Sequence, residues 1–130
     1  MTSTDGTATM ENAMAPDTTR PRRLRVYIAG PLTNPDWAQR RQNVLAAIDV
    51  ARHLIVAGYA PLCPHLFDYM AKNEEIPYEM WLACDFAWLE IADAVWCIPG
   101  QSPGTEREVA LARALGIPVV SSLRELHALT

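Results

Sequence analysis

Short apolar runs that alternate with helix-like segments constrain this fold more than any other feature of the sequence. The runs are residues 24–29, 59–63, 94–98 and 117–120. Each borders a glycine or a proline, as strands commonly do. After the first run, Val44, Ile48, Ala51 and Ile55 recur at helical spacing. Strands that alternate with helices form βαβ units, so we predict an α/β, Rossmann-like, three-layer αβα fold with a parallel sheet of four to five strands.

The length of 130 residues fits one domain. Residues 1–23 lack hydrophobic periodicity, so we predict a disordered N-terminal tail followed by an α/β domain at residues 24–130. The predicted helices are residues 37–57, 65–70, 77–91 and 105–115, with a polar turn at 72–76 and a last short helix capped by Ser121 or Ser122. Asp36 is the predicted N-cap of the first helix.

The composition argues against several classes of protein. Hydrophobic residues make up 50% of the chain, but no apolar run reaches the roughly 18 residues that a membrane span requires. The N-terminus shows no apolar signal segment. The net charge is −4, without the basic face of a nucleic-acid binder. We therefore predict a cytoplasmic protein that binds neither membranes nor nucleic acids.

Motifs for metals and common cofactors are missing. The cysteines are odd in number, at 3, with no C-x-x-C, and the 3 histidines have no metal-ligand spacing. There is no G-x-G-x-x-G dinucleotide fingerprint, no P-loop and no G-x-S-x-G elbow. We predict no metal and no cofactor.

Asp85 is the most anomalous residue. Its neighbours at helical spacing are Trp81, Leu82, Trp88 and Leu89, so a carboxylate lies in the stripe that should face the sheet. A buried charge is costly unless it is paired or hydrogen-bonded. Asp85 is therefore either an active-site carboxylate or a structural one that caps a loop or pairs with an arginine.

Glu108 also has two interpretations. Thr105 and Glu108 match a capping box, with Thr105 as N-cap and Glu108 reaching back to it. Alternatively, Glu108 lies in the first helical turn after the carboxyl end of a strand, where a ligand binds. The helix dipole would there keep it ionised, as a nucleophile requires.

Loops at the carboxyl ends of the strands carry the candidate substrate-binding residues. Backbone N–H groups and hydroxyls at a helix N-terminus bind phosphate readily, and arginines near a cleft suit the same ligand. The candidates are Gly30, Pro31, Arg40, Arg41, His65, Ser102, Gly104 and Thr105. For the two arginines, a solvated helix face is the alternative.

Three motifs together resemble the nucleoside 2-deoxyribosyltransferase superfamily. They are V-Y-I-A-G-P at residues 26–31, C-D-F-A-W-L-E-I-A-D-A-V at 84–95 and S-P-G-T-E-R-E-V-A-L-A at 102–112. The resemblance covers about residues 24–120. Within the superfamily the chain resembles the nucleoside 5′-monophosphate N-glycosidase branch, or its short relatives without an established activity, more than it resembles the transferases proper. In that branch a serine six residues before the catalytic glutamate contacts phosphate, and Ser102 stands there.

The resemblance also implies catalytic roles. Glu108 would be the nucleophile, Asp85 an active-site acid, and Tyr27 a residue that contacts and orients the glutamate. The expected reaction is hydrolysis of a nucleoside 5′-monophosphate through a glutamyl glycosyl-enzyme. The alternatives are a nucleoside 2-deoxyribosyltransferase that exchanges bases and a non-catalytic nucleotide-binding module.

The expected partners are a small-molecule nucleotide or nucleoside and other copies of the chain. Met80, Trp81, Trp88 and Trp96 supply more large apolar surface than a small four-stranded sheet needs. Aromatic residues and methionine are enriched in interfaces. We therefore predict a homodimer or a higher homo-oligomer.

Overall fold

Four short parallel strands and their connecting helices build the fold in the computed structural model, which describes residues 22–70 and 76–130. In chain order the elements are β1 (Arg25–Ala29), α1 (Trp37–Val56), β2 (Ala60–Leu62), a 3₁₀ helix (Pro64–Met70), α2 (Tyr78–Leu89), β3 (Ala94–Cys97), α3 (Pro103–Ala114), β4 (Val119–Val120) and α4 (Leu123–His127). The predicted elements are therefore confirmed, with ends that differ by a few residues. Within the predicted turn at 72–76, residues 72–75 lie outside the described residues.

The sheet has the order β2-β1-β3-β4, and every pairing is parallel. Val26 of β1 pairs with Pro61 on one side and Ala94 on the other. Because β1 and β3 are adjacent but their connections leave in opposite directions along the sheet, their carboxyl ends form the kind of crevice where α/β proteins bind ligands.

Side chains that alternate along the strands divide the core between the two faces of the sheet. On one face, Val26 and Ile28 pack with Leu54 of α1 and Leu126 of α4. On the other face, Tyr27, Ala29 and Val95 pack with Leu89 of α2 and Ala112 of α3. Successive side chains of a strand point to opposite faces of the sheet, so a strand covered on both faces is buried almost continuously, as β1 is from residue 26 to 29. The three-layer αβα prediction is confirmed.

Helix starts follow the capping residues. The Asp36 carboxylate accepts a hydrogen bond from the backbone N–H of Ala38, which confirms it as the N-cap of α1. Ser122 likewise caps α4 by accepting from the N–H of Glu125. Pro77 precedes the first residue of α2 and makes no side-chain cap.

Residues just before β1 contact the domain. The Arg22 guanidinium donates two hydrogen bonds to Asp93, at 2.7 and 3.0 Å. Arg23 donates to the backbone carbonyls of Ile55 and Tyr59, at 3.2 and 3.0 Å. Arg22 and Arg23 of the predicted tail thus contact the domain, and residues 1–21 of that tail lie outside the described residues. None of the helices in 22–70 and 76–130 has the length and apolarity of a membrane span.

Candidate active site

A cavity of about 510 Å³ opens at the carboxyl ends of β1 and β3. The predicted site residues that line it are Gly30, Arg40, His65, Asp85, Ser102, Gly104, Thr105 and Glu108. Pro31 lies beside it, and its carbonyl accepts from His65 Nε2 at 3.2 Å. Arg41 is exposed and is not among the lining residues. The structure therefore brings together most of the predicted site, which spans widely separated parts of the chain.

Tyr27 and Glu108 form a buried hydrogen-bonded pair, in which Glu108 lines the cavity and Tyr27 is not among the lining residues. The phenol of Tyr27 donates to Glu108 Oε2, and the two residues are only 1% and 7% exposed. Tyr27 comes from the middle of β1, and Glu108 comes from the second turn of α3. Burial and the nearby Glu108 and Asp85 carboxyls raise the pKa of Tyr27, so the hydroxyl keeps its proton and remains a donor.

The capping-box interpretation of Glu108 is wrong. The N-cap of α3 is Ser102, whose Oγ accepts from the N–H of Thr105 at 3.3 Å. Thr105 is therefore the third helical residue, and Pro103 occupies the first helical position, which proline favours. Since the helix begins earlier than predicted, Glu108 is free to project toward Tyr27 instead of closing a box.

Asp85 reaches the same cavity from α2. Its Oδ1 is buried without a hydrogen-bond partner, and within the described residues no ion pair includes it. The structural alternative, a carboxylate that pairs with an arginine, therefore finds no support in the described residues. Burial raises the pKa of Asp85 to about 6. A carboxyl that can hold its proton near neutral pH is suited to act as an acid.

Burial, and then the charge of Asp85, raise the pKa of Glu108 to about 7, although the Tyr27 hydrogen bond opposes this shift. The helix dipole was expected to keep Glu108 ionised, but desolvation in this pocket raises its pKa instead of leaving it at the ordinary value. Between about pH 6 and 7 the two carboxyl groups share on the order of one proton. One carboxylate and one carboxylic acid can thus coexist in the site.

A pH-dependent stability difference should follow from Glu108→Gln. The folded-state pKa of Glu108 lies above its ordinary value of 4.5. Its contribution to stability is therefore complete below about pH 4.5 and is lost as pH rises through about 7. Glutamine cannot ionise. The free energy of unfolding of the variant, relative to that of the parent, should therefore increase by about 1–3 kcal/mol from pH 5 to pH 8. Urea unfolding at both pH values measures this, and a constant difference would contradict it.

Two glycines bring the loops after β1 and β3 into contact beneath the cavity. A Cβ on Gly30 would lie 2.9 Å from Ile98 Cβ, and one on Gly100 would lie 2.6 Å from Pro31 Cγ. Gly100 also has a φ of 134°, which disfavours other residues. His65 Nε2 lies 3.1 Å from the Gly30 carbonyl oxygen, so it links the 3₁₀ helix to the loop after β1.

Sequence reasoning missed several residues that line the cavity, among them Phe67, Asp68, Tyr78 and Trp81. Phe67 and Asp68 come from the 3₁₀ helix, and Tyr78 and Trp81 come from α2. Phe67 and Trp81 pack with ring centroids 6.3 Å apart. No sequence motif marks these four positions. The one sequence feature that could have indicated them is their place after the carboxyl end of β2, where ligands bind in parallel sheets. Of the described residues, no group of three or more His, Cys, Asp or Glu side chains could hold a metal ion.

The fold and this cavity define a Rossmann-like α/β protein with two carboxyl groups of raised pKa at the switch point of a parallel sheet. The chain belongs to the family described as "Domain of unknown function (DUF7768)", whose model matches residues 24–122.

A solved structure extends the comparison. The chain is similar to the 2-deoxyribosyltransferase from the psychrotolerant bacterium Bacillus psychrosaccharolyticus, with 25% identity and a TM-score of 0.54 over 73% of this chain and 69% of that one. A search of curated proteins found no match. The similarity supports the superfamily that the three sequence motifs resemble, and with it a glycosyl-transfer type of enzyme.

Proposed function

We propose that the protein transfers a 2-deoxyribosyl group between bases. In this proposal Glu108 is the nucleophile that cleaves the N-glycosidic bond of a nucleoside. The observation that carries this proposal is the buried Glu108, held by Tyr27 beside a protonatable Asp85 in a cavity large enough for a small organic ligand. The similarity to a 2-deoxyribosyltransferase favours base exchange over the monophosphate hydrolysis that the sequence motifs favoured.

The first step is a displacement at the anomeric carbon. A carboxylate oxygen of Glu108 forms a bond to C1′ while the bond from C1′ to the base nitrogen breaks, and the electron pair leaves with the base. Asp85 donates its proton to that base. Tyr27, which keeps its proton, orients Glu108 by donating to Oε2. Carboxylate nucleophiles form glycosyl-enzymes in the same way in retaining glycosidases.

The second step reverses the first with a different base. A ring nitrogen of the incoming base attacks C1′, its proton passes to Asp85, and the bond between C1′ and Glu108 breaks. Two inversions give net retention at C1′. The site then returns to its starting protonation state, so no further proton source is required. Because the pKa of Glu108 lies above that of Asp85, the shared proton of the free site favours Glu108, and the reaction uses the arrangement in which that proton lies on Asp85.

Hydrolysis of a nucleoside 5′-monophosphate is the second candidate, with water as the acceptor. Ser102 favours it, because this residue lines the cavity at the N-terminus of α3, where phosphate binds readily. The resemblance to the monophosphate N-glycosidase branch rests on the same serine.

A base-exchange assay tests the proposal. Thymidine, 2′-deoxyadenosine and their 5′-monophosphates are incubated with the full chain, with and without a free acceptor base, and products are separated chromatographically. We expect a new nucleoside only when the acceptor is present. Free base released from a monophosphate without an acceptor would favour the second candidate. Binding of these compounds by folded protein without any turnover would reject both and leave a nucleotide-binding module.

We further propose that the protein forms a homodimer or higher homo-oligomer through apolar surface on α2. Met80 and Trp88 are 62% and 47% exposed. Trp81 instead lines the cavity, and Trp96 packs against the core, so these two contribute less to such a surface than the sequence indicated.

A further inference from the structure

We propose that Trp81, with Phe67 beside it, is the surface on which the base of the substrate stacks, and that this surface makes the site favour purines over pyrimidines. This inference rests on the proposed function and deepens it, because it names the class of base that is transferred. Trp81 is then a specificity residue for the base and takes no part in the chemistry at C1′.

The place of the base follows from that of Asp85. In the proposed mechanism Asp85 donates its proton to the leaving base, so the base must lie within hydrogen-bond reach of this carboxyl. Trp81 lies four residues before Asp85 on α2, so the two side chains share one face of the helix. Both residues line the cavity. A base that contacts Asp85 therefore lies beside the Trp81 ring.

Phe67 adds a second ring from the 3₁₀ helix. Its centroid lies 6.3 Å from that of Trp81, and the angle between the two ring planes is 28°. Both side chains are half-buried, and both line the cavity. Because the planes are close to parallel, a flat base that lies parallel to one ring lies nearly parallel to the other. Aromatic side chains bind nucleobases by stacking on their faces.

Polar side chains of the 3₁₀ helix are already engaged within the protein. His65 Nε2 lies 3.1 and 3.2 Å from the carbonyl oxygens of Gly30 and Pro31. Asp68 accepts two hydrogen bonds from the Arg40 guanidinium. Several other lining residues have apolar side chains, among them Ile28, Leu32 and Leu82. Recognition of the base therefore depends more on the area that it buries than on the groups along its edge.

Buried area distinguishes the two classes of base. The free energy of transfer from water grows with the apolar area that is buried, and stacking of aromatic rings adds to it. A purine has two fused rings and a pyrimidine has one, so a purine covers more of Trp81 and Phe67. The cavity of about 510 Å³ lies within the range of about 300–1,000 Å³ that is usual for small-molecule sites, so it has room for the larger base.

The first experiment compares Trp81→Leu with the parent. We expect kcat/KM of the parent for 2′-deoxyadenosine to exceed that for thymidine by about tenfold, with one acceptor base held constant. This ratio should fall by about tenfold in Trp81→Leu, as for the loss of one stacking aromatic. Trp81→Phe keeps a ring and should retain part of the preference. Tyr69→Leu is the control, because Tyr69 is an exposed aromatic residue of the 3₁₀ helix that is not among the lining residues.

The second experiment does not depend on turnover. Free adenine and free thymine are titrated into each protein by isothermal calorimetry. The parent and Tyr69→Leu should bind adenine more tightly than thymine, and Trp81→Leu should lose about tenfold of that difference. If Trp81→Leu is poorly folded, Trp81→Phe and Phe67→Leu are measured in its place, and a smaller loss in the same direction is expected.

The outcomes separate the two proposals. A parent that does not favour the purine overturns the role of Trp81, and so does a folded Trp81→Leu protein that keeps the preference of the parent. If the parent exchanges no base, the proposed function fails and the titrations alone decide. Tighter binding of adenine that is lost in Trp81→Leu then supports stacking on Trp81. Equal binding of the two bases, or binding of neither, overturns it.

Discussion

Glu108→Gln should reduce base exchange by about 10⁴-fold or more, because an amide lacks both the charge and the attacking oxygen of a carboxylate nucleophile. The fold should be retained, since the glutamine carbonyl can accept the Tyr27 hydrogen bond that Glu108 Oε2 accepts now. Steady-state rates and thermal melts of the parent and the variant, measured in parallel, separate lost chemistry from lost structure.

Glu106→Gln is the matched control, because Glu106 lies in the first turn of the same helix and is exposed. Its rate should equal that of the parent. A slow-leaving 2-fluoro nucleoside should add the mass of the sugar to the parent peptide that contains Glu108, and nothing to the same peptide of Glu108→Gln. Turnover by Glu108→Gln at the rate of the parent would remove Glu108 from the mechanism.

Asp85→Asn should lower turnover by about 10²–10⁴-fold, the usual contribution of a general acid. The parent should show a bell-shaped pH dependence. Below about pH 6 both carboxyls are protonated and the nucleophile is lost; above about pH 7 both are ionised and the acid is lost. In Asp85→Asn the loss at high pH should disappear. The loss at low pH should remain, because Glu108 must still ionise to act as the nucleophile.

A substrate that needs no proton provides the internal control for Asp85. 7-Methyl-2′-deoxyguanosine carries a positively charged leaving base, so its cleavage should be much less sensitive to Asp85→Asn than that of 2′-deoxyadenosine. A folded variant that retains the full rate and the parent pH profile on 2′-deoxyadenosine would show that Asp85 does not supply the proton.

The α/β architecture was predictable because its signals are local. Alternating apolar runs, Asp36 and Ser122 as N-caps and the proline before α2 all act over a few residues, and the structure has helices and strands at those places. The strand order was not predicted, because right-handed crossovers limit how such units assemble without selecting one order. The observed ends of an element differ from the predicted ends where more than one nearby residue can be the N-cap. At α3 the sequence predicted Thr105, and the N-cap is Ser102.

The electrostatics of the site were harder to predict. Whether Glu108 closes a capping box or reaches Tyr27 depends on where α3 begins and on a contact between residues 81 positions apart. The raised pKa of Glu108 depends on burial, which a helix-dipole argument omits. The ion pair of Arg40 with Asp68 joins residues 28 positions apart through a 3₁₀ helix that carries no motif. These properties come from tertiary packing, so only coordinates could reveal them.

The central position of β1 has a consequence for biosynthesis. β1 leaves the ribosome before its two neighbours, and its partners follow much later, with Val26 paired to Pro61 and to Ala94. Until β3 has been made, β1 can pair with β2 on one side and its other edge stays without the neighbour that it has in the folded sheet. Contacts this distant in sequence form slowly and leave nascent apolar segments exposed to aggregation. We expect truncated chains that end before β3 to be captured by chaperones, whereas chains that include β3 and the elements after it are released.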